Sequence, residues 1–145
     1  MSMTEGKLVL TNSDFSHIYS ALQGGLIYYE GVSAANQASH DNGDIQLEIS
    51  GCTFVNISAQ IDGGVIRARN LNFTITLSHF SDNRAEQGNG GVLQFLCGRN
   101  SNFVCSGAIS SSTFTNNYAA LEGGVIIYNF YEPSISDVTW SGNSA

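Results

Sequence analysis

Residues 114–126 read Phe-Thr-Asn-Asn-Tyr-Ala-Ala-Leu-Glu-Gly-Gly-Val-Ile, and this stretch decides the fold of the chain. Its two parts, an aromatic residue that opens a six-residue motif and a glycine pair before two aliphatic residues, return along the chain. The repeated positions are Phe15, Phe54, Phe80, Phe114 and Trp140 for the aromatic residue, and Gly24, Gly25, Gly63, Gly64, Gly90, Gly91, Gly123 and Gly124 for the pair. The copy at Phe15 is looser, and the copy at Trp140 has no glycines after it. Such self-similarity predicts a solenoid, because each unit can bury its apolar face only against the next unit.

The aromatic positions are 39, 26, 34 and 26 residues apart, so the basic unit has 26 residues and the first and third intervals carry insertions. Short apolar runs with a period of two predict strands, and no stretch keeps a helical period long enough for a helix. We therefore expect an all-β, single-stranded parallel β-helix of about four to five coils, with about three short strands in each coil. Right-handed winding follows from the preference of parallel crossover connections. Residues 1–145 are predicted to form a single domain, a segment of a larger repeat protein.

Equivalent positions of a β-helix lie above one another at the ~4.8 Å spacing between strands, so repeated residues form columns. The aromatic positions are predicted to stack inside, as is the aliphatic column five residues earlier, which consists of Leu10, Ile49, Ile75, Ile109 and Ile135. The glycine pairs are predicted to mark a corner that needs positive φ or close backbone approach. Three residues after the aromatic position we expect a ladder of asparagines in the left-handed conformation. Its members are Asn83, Asn117 and Asn143, and Ile18 and Ile57 interrupt it.

Two insertions interrupt the repeat, at Gly31–Asp44 and Cys97–Gly107, and insertions in solenoids are where specific contacts concentrate. Cys97 and Cys105 bracket a loop that a disulfide can close, and we predict that they are bonded, as a pair in a surface protein would be oxidised. The alternative is two independent thiols in a reducing compartment. Cys52 lies in an inward column of small residues and is predicted to be a packed side chain. The spacing of the three cysteines does not support a metal site.

Charged residues make up 12% of the chain, and its net charge is −7. Small polar side chains in place of charged ones suit stacked turns, because like charges in adjacent coils repel. The negative charge argues against nucleic acid and anionic membrane surfaces as partners. No apolar run is long enough to span a bilayer, so we do not expect this segment to insert into a membrane.

A hydrolytic site would need two carboxylates roughly 5–10 Å apart across a substrate. Asp62 and Glu122 share the column before the glycine pairs, but they lie two coils apart, with Asn89 between them. Their separation of about 10 Å is barely compatible with such a pair. A turn ladder of amides and carboxylates explains the same residues without catalysis. The histidines fall at different repeat positions, so a shared site is not expected of them; they are His17, His40 and His79. The sequence therefore predicts no catalytic residue, no metal site and no cofactor.

The Phe-Thr-Asn-Asn segment at 114–117 and the Gly-Gly-Val-Ile segments at 63–66 and 123–126 resemble the FxxN and GGAI repeats of the chlamydial polymorphic membrane proteins. Similar repeats occur in large surface proteins of ciliates and other microbes. The resemblance implies a right-handed β-helix of the pectin-lyase type, on a cell surface or outside the cell, linked to adhesion to a host or matrix glycan or protein. In a eukaryotic secretory pathway, Asn56 and Asn72, which begin two sequons, would be the N-glycosylation sites.

The leading hypothesis is a non-catalytic β-helical stalk or adhesin-like segment of a large extracellular or cell-surface protein. A second hypothesis is a structural subunit that stacks end to end into an extracellular fibre. A third is a carbohydrate-active lyase or hydrolase, although the motifs of pectin-degrading enzymes are missing. Apolar residues near both ends, such as Leu8 and Trp140, predict that flanking coils of the same protein or a head-to-tail copy cover the end faces.

Overall fold

The computed structural model describes residues 6–30, 45–98, 105–129 and 133–145. Within these ranges the chain forms no helix, and its strands are assembled into four sheets in which every pair of neighbours is parallel. Strands that neighbour each other in a sheet are never consecutive in the described chain, as expected when a chain winds around an axis and returns to each sheet once per coil. The fold is therefore an all-β parallel β-helix, as predicted. The handedness of the winding stays a prediction.

Each coil contributes one strand to a sheet, so every sheet contains strands from successive coils. Sheet 1 contains β1 (Gly6–Thr11), β5 (Ile45–Ser50), β9 (Asn72–Thr76), β13 (Gly107–Ser110) and β17 (Ser134–Ser136). Sheet 2 contains β2 (Asp14–Ser16), β6 (Thr53–Val55), β10 (His79–Ser81), β14 (Thr113–Thr115) and β18 (Thr139–Ser141). Sheet 3 contains β3 (Tyr19–Ser20), β7 (Ser58–Ala59), β11 (Arg84–Ala85) and β15 (Tyr118–Ala119). Sheet 4 contains β4 (Ile27–Glu30), β8 (Ile66–Arg69), β12 (Leu93–Leu96) and β16 (Ile126–Asn129).

The prediction of three strands per coil is wrong, because the described coils pass through four sheets. The additional strands are those of sheet 3, which are two residues long, as in Ser58–Ala59. They are separate from sheet 2 because a residue with positive φ turns the chain just before them, as Asn56 does at φ 53°. Two residues are too few for a period-two pattern to be recognised in the sequence.

The aromatic column forms the centre of the interior. Phe54, Phe80 and Phe114 are fully buried and share one register, with ring centroids 4.6 and 4.8 Å apart. Phe15 and Trp140 continue the stack at its two ends, at 5.2 and 4.8 Å. The predicted aliphatic column in sheet 1 is in register beside it. Stacked rings add to the stabilisation from burial, so this column ties successive coils together.

A second stack, between sheets 1 and 4, shows how the core adapts to sequence. The rings of Phe73 and Phe95 stack with centroids 3.8 Å apart. Phe73 is in register with Gly107 of the next coil, and a Cβ on that glycine would overlap the Phe73 ring. The glycine therefore leaves the space that the aromatic side chain fills.

The asparagine column is a buried ladder, but its members do not adopt the expected left-handed conformation. Asn83 and Asn117 are fully buried, and the positive φ values fall one position earlier, as at Asn116 with φ 54°. The Oδ1 of Asn83 accepts the N–H of Ile57 at 3.0 Å, and its Nδ2 donates to the carbonyl of Phe54 at 3.0 Å. The exposed residue makes the turn, which leaves the asparagine free to point inward and satisfy buried backbone groups.

The same arrangement continues along the column. Asn117 accepts the N–H of Asn83 at 3.0 Å, and Asn143 accepts the N–H of Asn117 at 2.9 Å. A parallel ladder of small residues precedes the aromatic column, where Ser78 Oγ accepts the N–H of Cys52 at 3.2 Å and Ser112 Oγ accepts that of Ser78 at 3.1 Å. At the turns before and after each sheet 2 strand, side chains of the next coil thus accept buried backbone N–H groups.

Candidate interaction surface

The glycine pairs build a tight corner between sheets 3 and 4. The first glycine of each pair has positive φ, 61° at Gly63 and 66° at Gly90. At the second position the backbones of adjacent coils approach so closely that a Cβ on Gly64 would overlap the carbonyl oxygen of Gly91. The two positions therefore require glycine for different reasons. The first adopts the left-handed conformation, and the second has no room for a side chain.

A polar column runs along this corner, one residue before each pair. Asp62 is its most connected member: its Oδ1 accepts the backbone N–H of Asn89 at 2.9 Å, and its Oδ2 accepts the Gln23 amide at 3.4 Å. Glu122 occupies the same column one coil beyond Asn89. The register is set by backbone hydrogen bonds from Gly63 to Asn89 and from Gly90 to Glu122. The Asp62 carboxylate thus serves as an acceptor within a turn ladder, the structural alternative considered for these residues.

An aliphatic ridge lies beside the polar column, two residues before each glycine pair. Leu22, Ile61 and Leu121 are 68%, 37% and 62% exposed. Backbone hydrogen bonds place them in one column with Gly88, since Ile61 N–H donates to the Leu22 carbonyl at 2.7 Å and Leu121 N–H donates to that of Gly88 at 3.1 Å. Gly88 makes a notch in the ridge. A shallow pocket lies between Leu22, Ile61 and Tyr28. Exposed aliphatic side chains in a row are a candidate interaction surface.

A charged cluster covers the outer face of sheet 4. Glu30 contacts both Arg67 and Arg69, the latter at 2.9 Å, and the Arg67 guanidinium lies over the Tyr28 ring with its carbon 5.2 Å from the centroid. Arg67 also donates to Gln94 at 3.2 Å and is buried. This cluster was not anticipated from the sequence. Counting from the glycine pairs would have found it, because Glu30 and Arg69 fall at the same position in adjacent coils.

Two of the three cysteines are bonded to each other and the third is a free thiol. Cys97 and Cys105 are joined by a disulfide and are both buried, forming a small cluster of their own. Most of the loop that they close, and the whole of the insertion Gly31–Asp44, lie outside the described residues. Cys52 is a buried free thiol that donates to the carbonyl of Ser50 at 3.4 Å.

The histidines and the sequons are dispersed. His17 is exposed at the turn after β2, His79 is exposed on β10, and His40 lies outside the described residues. Asn56 is exposed at a turn, whereas Asn72 on β9 is half-buried and its Oδ1 accepts the N–H of Ser106 at 2.7 Å. Of the two sequons, Asn56 has the more accessible side chain.

Within ranges 6–30, 45–98, 105–129 and 133–145, no three His, Cys, Asp or Glu side chains are grouped closely enough to hold a metal ion. The same part of the chain contains no helix that is long and apolar enough to cross a membrane.

Comparison with known proteins gives one match. Residues 111–126 match the repeat of the Chlamydia polymorphic membrane proteins. No curated protein and no solved structure matches the chain. The matched residues include the aromatic position Phe114, the ladder residue Asn117 and the glycine pair of the last corner. The match over residues 111–126 confirms the resemblance that their sequence predicts.

Proposed function

We propose that this chain is a non-catalytic β-helical segment of a large surface protein, in which it acts as a rigid stalk or adhesive spacer. The match of residues 111–126 to the polymorphic membrane protein repeat is the observation that carries this proposal. The aromatic column supports it, because successive coils are joined by strand pairing and by stacked rings. A solenoid joined in this way holds a fixed distance between whatever lies at its two ends.

The surface location is tested with antibodies raised against the purified segment and applied to cells of the source organism. We expect intact cells to be labelled, and brief treatment with an external protease to remove the label. Labelling that requires permeabilised cells would contradict the proposal.

The aliphatic ridge supports an adhesive role and suggests the class of partner. Leu22, Ile61 and Leu121 offer apolar contact but no hydrogen bonds, which suits an apolar patch on a protein better than the hydroxyl-rich surface of a glycan. We therefore propose a host or matrix protein as the partner and the ridge as the contact face.

The contact face is tested with a variant that combines Leu22→Ser, Ile61→Ser and Leu121→Ser. Adhesion of beads coated with this variant to immobilised matrix proteins is expected to fall several-fold. Leu77→Ser is the matched control, because Leu77 is also 68% exposed but lies at the turn between sheets 1 and 2. Equal adhesion of the triple variant and the unchanged chain would contradict the assignment of the ridge.

A further inference from the structure

The coil that contains Phe80 carries one residue more than the other coils before its glycine pair. The first glycine stands nine positions after the aromatic residue in the other three complete copies of the repeat, but Gly90 stands ten positions after Phe80. The extra residue is Gln87, which is exposed, while Gly88 takes the place in the aliphatic ridge, since its carbonyl accepts the N–H of Leu121. Gln87 and Gly88 thus stand opposite one residue in each adjacent coil, as in a β-bulge, and bulges change the direction of the side chains around them.

The backbone of this bulge forms the floor of the notch in the ridge. Gly88 is buried, and a Cβ on it would overlap the carbonyl oxygen of Ile61 and the carboxylate of Asp62 in the preceding coil. A side chain at this position would therefore force the two coils apart. The close approach of the two backbones thus keeps the ridge free of a side chain at the position of Gly88.

The notch has the width of one apolar side chain. Its walls are Ile61 and Leu121, which lie two coils apart, about 10 Å at the usual strand spacing. An apolar group in contact with both walls needs about 7–8 Å, because contacting carbon atoms are about 3.5–4 Å apart. Leu22 and Ile61, by contrast, lie in adjacent coils about 5 Å apart. The notch over Gly88 therefore accommodates an inserted side chain, and the gap between Leu22 and Ile61 does not.

Carboxylates lie on both sides of the notch. Asp62 and Glu122 belong to the polar column on one side, and Glu86 directly precedes the bulge on the other. Asp62 is engaged within the turn ladder, and Glu86 pairs with Arg84 at 3.3 Å. Glu122 is exposed beside Leu121. Because the chain also has a net charge of −7, an apolar site bordered in this way favours a partner that carries lysine or arginine next to the inserted side chain.

We propose that the notch over Gly88 receives one apolar side chain of the partner protein, and that a basic residue next to this side chain pairs with Glu122. This inference rests on the proposed role of the ridge as the contact face, and it specifies what the partner presents. An apolar anchor seated in a pocket supplies most of the energy of such a contact, and an ion pair at the rim supplies orientation and a faster encounter. The partner is thus a protein segment in which an apolar residue is flanked by lysine or arginine.

The class of partner is tested with the purified full chain coupled to beads and with three immobilised peptides. One peptide carries a leucine between two lysines, the second has alanine in place of the leucine, and the third has glutamates in place of the lysines. Adhesion to the first peptide is expected to exceed adhesion to each of the others several-fold, because only the first supplies both the apolar anchor and the positive charge. Adhesion to the first peptide that is absent, or no stronger than adhesion to either of the others, would overturn the proposal.

The notch itself is tested by filling it. Deletion of Gln87 together with Gly88→Leu restores the nine-residue spacing of the other coils and completes the ridge with a leucine. This variant is expected to keep the circular dichroism of the unchanged chain and to lose the preference for the leucine peptide over the alanine peptide. The ridge alone predicts the opposite, since added apolar surface would strengthen adhesion. A folded variant that still prefers the leucine peptide would overturn the assignment of the notch and leave that of the ridge intact.

The ion pair is tested without a change in the backbone. Glu122→Gln is expected to reduce adhesion to the leucine peptide several-fold at low salt and to weaken the dependence of adhesion on salt concentration. Glu48→Gln is the matched control: it removes the same charge from the outer face of sheet 1, where Glu48 pairs with Lys7, and should change neither. Equal effects of the two substitutions would overturn the assigned pair, because net charge alone would then attract the peptide. Adhesion of the triple serine variant to matrix proteins is measured separately, so failure here leaves the proposed function standing.

Discussion

Phe80 stands at the centre of the aromatic column, with a stacked ring on either side at 4.6 and 4.8 Å. Phe80→Ala is expected to lower the free energy of unfolding by about 3–5 kcal/mol, because a fully buried ring is replaced by a cavity. Urea unfolding followed by circular dichroism measures the change. Phe15→Ala is the matched control: this ring is only half-buried and has a stacked neighbour on one side, so its removal should cost less. Equal losses in the two variants would show that the column does not stabilise the interior as described.

Asp62 separates the structural from the catalytic interpretation of the glycine corner. Asp62→Asn is expected to change the free energy of unfolding by less than about 1 kcal/mol, because an amide oxygen can still accept the N–H of Asn89. The same variant is expected to leave product release from polygalacturonate and related acidic glycans at the background of the unchanged chain. An activity present in the unchanged chain and lost in Asp62→Asn would favour the carbohydrate-active alternative.

At the turn between sheets 2 and 3, neighbouring residues have different roles: Asn116 adopts the positive φ, and Asn117 bonds buried backbone groups. Asn117→Leu is expected to cost roughly 2–5 kcal/mol, because the N–H of Asn83 and the carbonyl of Phe80 lose their buried partner. Asn116→Gly is the matched control and should be nearly neutral, since Asn116 is exposed and its φ of 54° is one that glycine adopts freely. Thermal unfolding of both variants decides the point. A larger loss in Asn116→Gly would reverse the assigned roles.

The β-helix could be predicted from the sequence because the same motif recurs in successive units, and each copy indicates the same register. A glycine pair before each inward aliphatic residue, and an aromatic residue in each unit, together fix the register of the stack. The strands of sheet 3 could not be predicted, because they depend on a left-handed residue that differs from coil to coil: His17, Asn56, Asp82 and Asn116 adopt the same conformation. Asn, Asp and His all adopt the left-handed conformation more readily than other side chains, so the position carries a preference but no single residue that repeats.

The candidate surface was predicted less completely than the fold. The corner itself follows from the glycine pairs, but the ridge of Leu22, Ile61 and Leu121 reads in the sequence as a broken apolar column, because Gly88 interrupts it. The contact of Glu30 with Arg67 and Arg69 joins residues that are nearly forty positions apart. Such a contact appears only after the coils have been aligned on their glycine pairs.

For the whole molecule, stability at high pH is expected to depend on Tyr29, which lies on the inward side of β4. Burial raises the pKa of its hydroxyl above the ordinary value of about 10. The unfolded chain therefore releases this proton first, so the stabilisation is complete below about pH 10 and is lost as the pH rises towards the folded-state pKa. Urea unfolding at a series of pH values should show a fall that Tyr29→Phe reduces. The same fall in that variant would exclude Tyr29 as its source.

The interstrand hydrogen bonds of this fold point along the axis of the stack, which has a mechanical consequence. Tension applied to the two ends of a stalk pulls on the outermost coil alone, so the molecule is expected to unwind one coil at a time. A coil of 26 residues would lengthen the chain by about 85–95 Å when fully extended. Single-molecule stretching should therefore show a series of steps, of about this length for the 26-residue intervals and longer for the intervals of 39 and 34 residues. A single abrupt extension would contradict the picture.

The disulfide gives one of these steps a chemical signature. Cys97 and Cys105 are separated by 8 positions in sequence, while their Cα atoms are 6.2 Å apart. The oxidised chain cannot stretch the residues between them, so a reducing agent should lengthen that step by about 20 Å. A stalk of this kind would lengthen coil by coil under tension. The residues between Cys97 and Cys105 would extend only after the disulfide has been reduced.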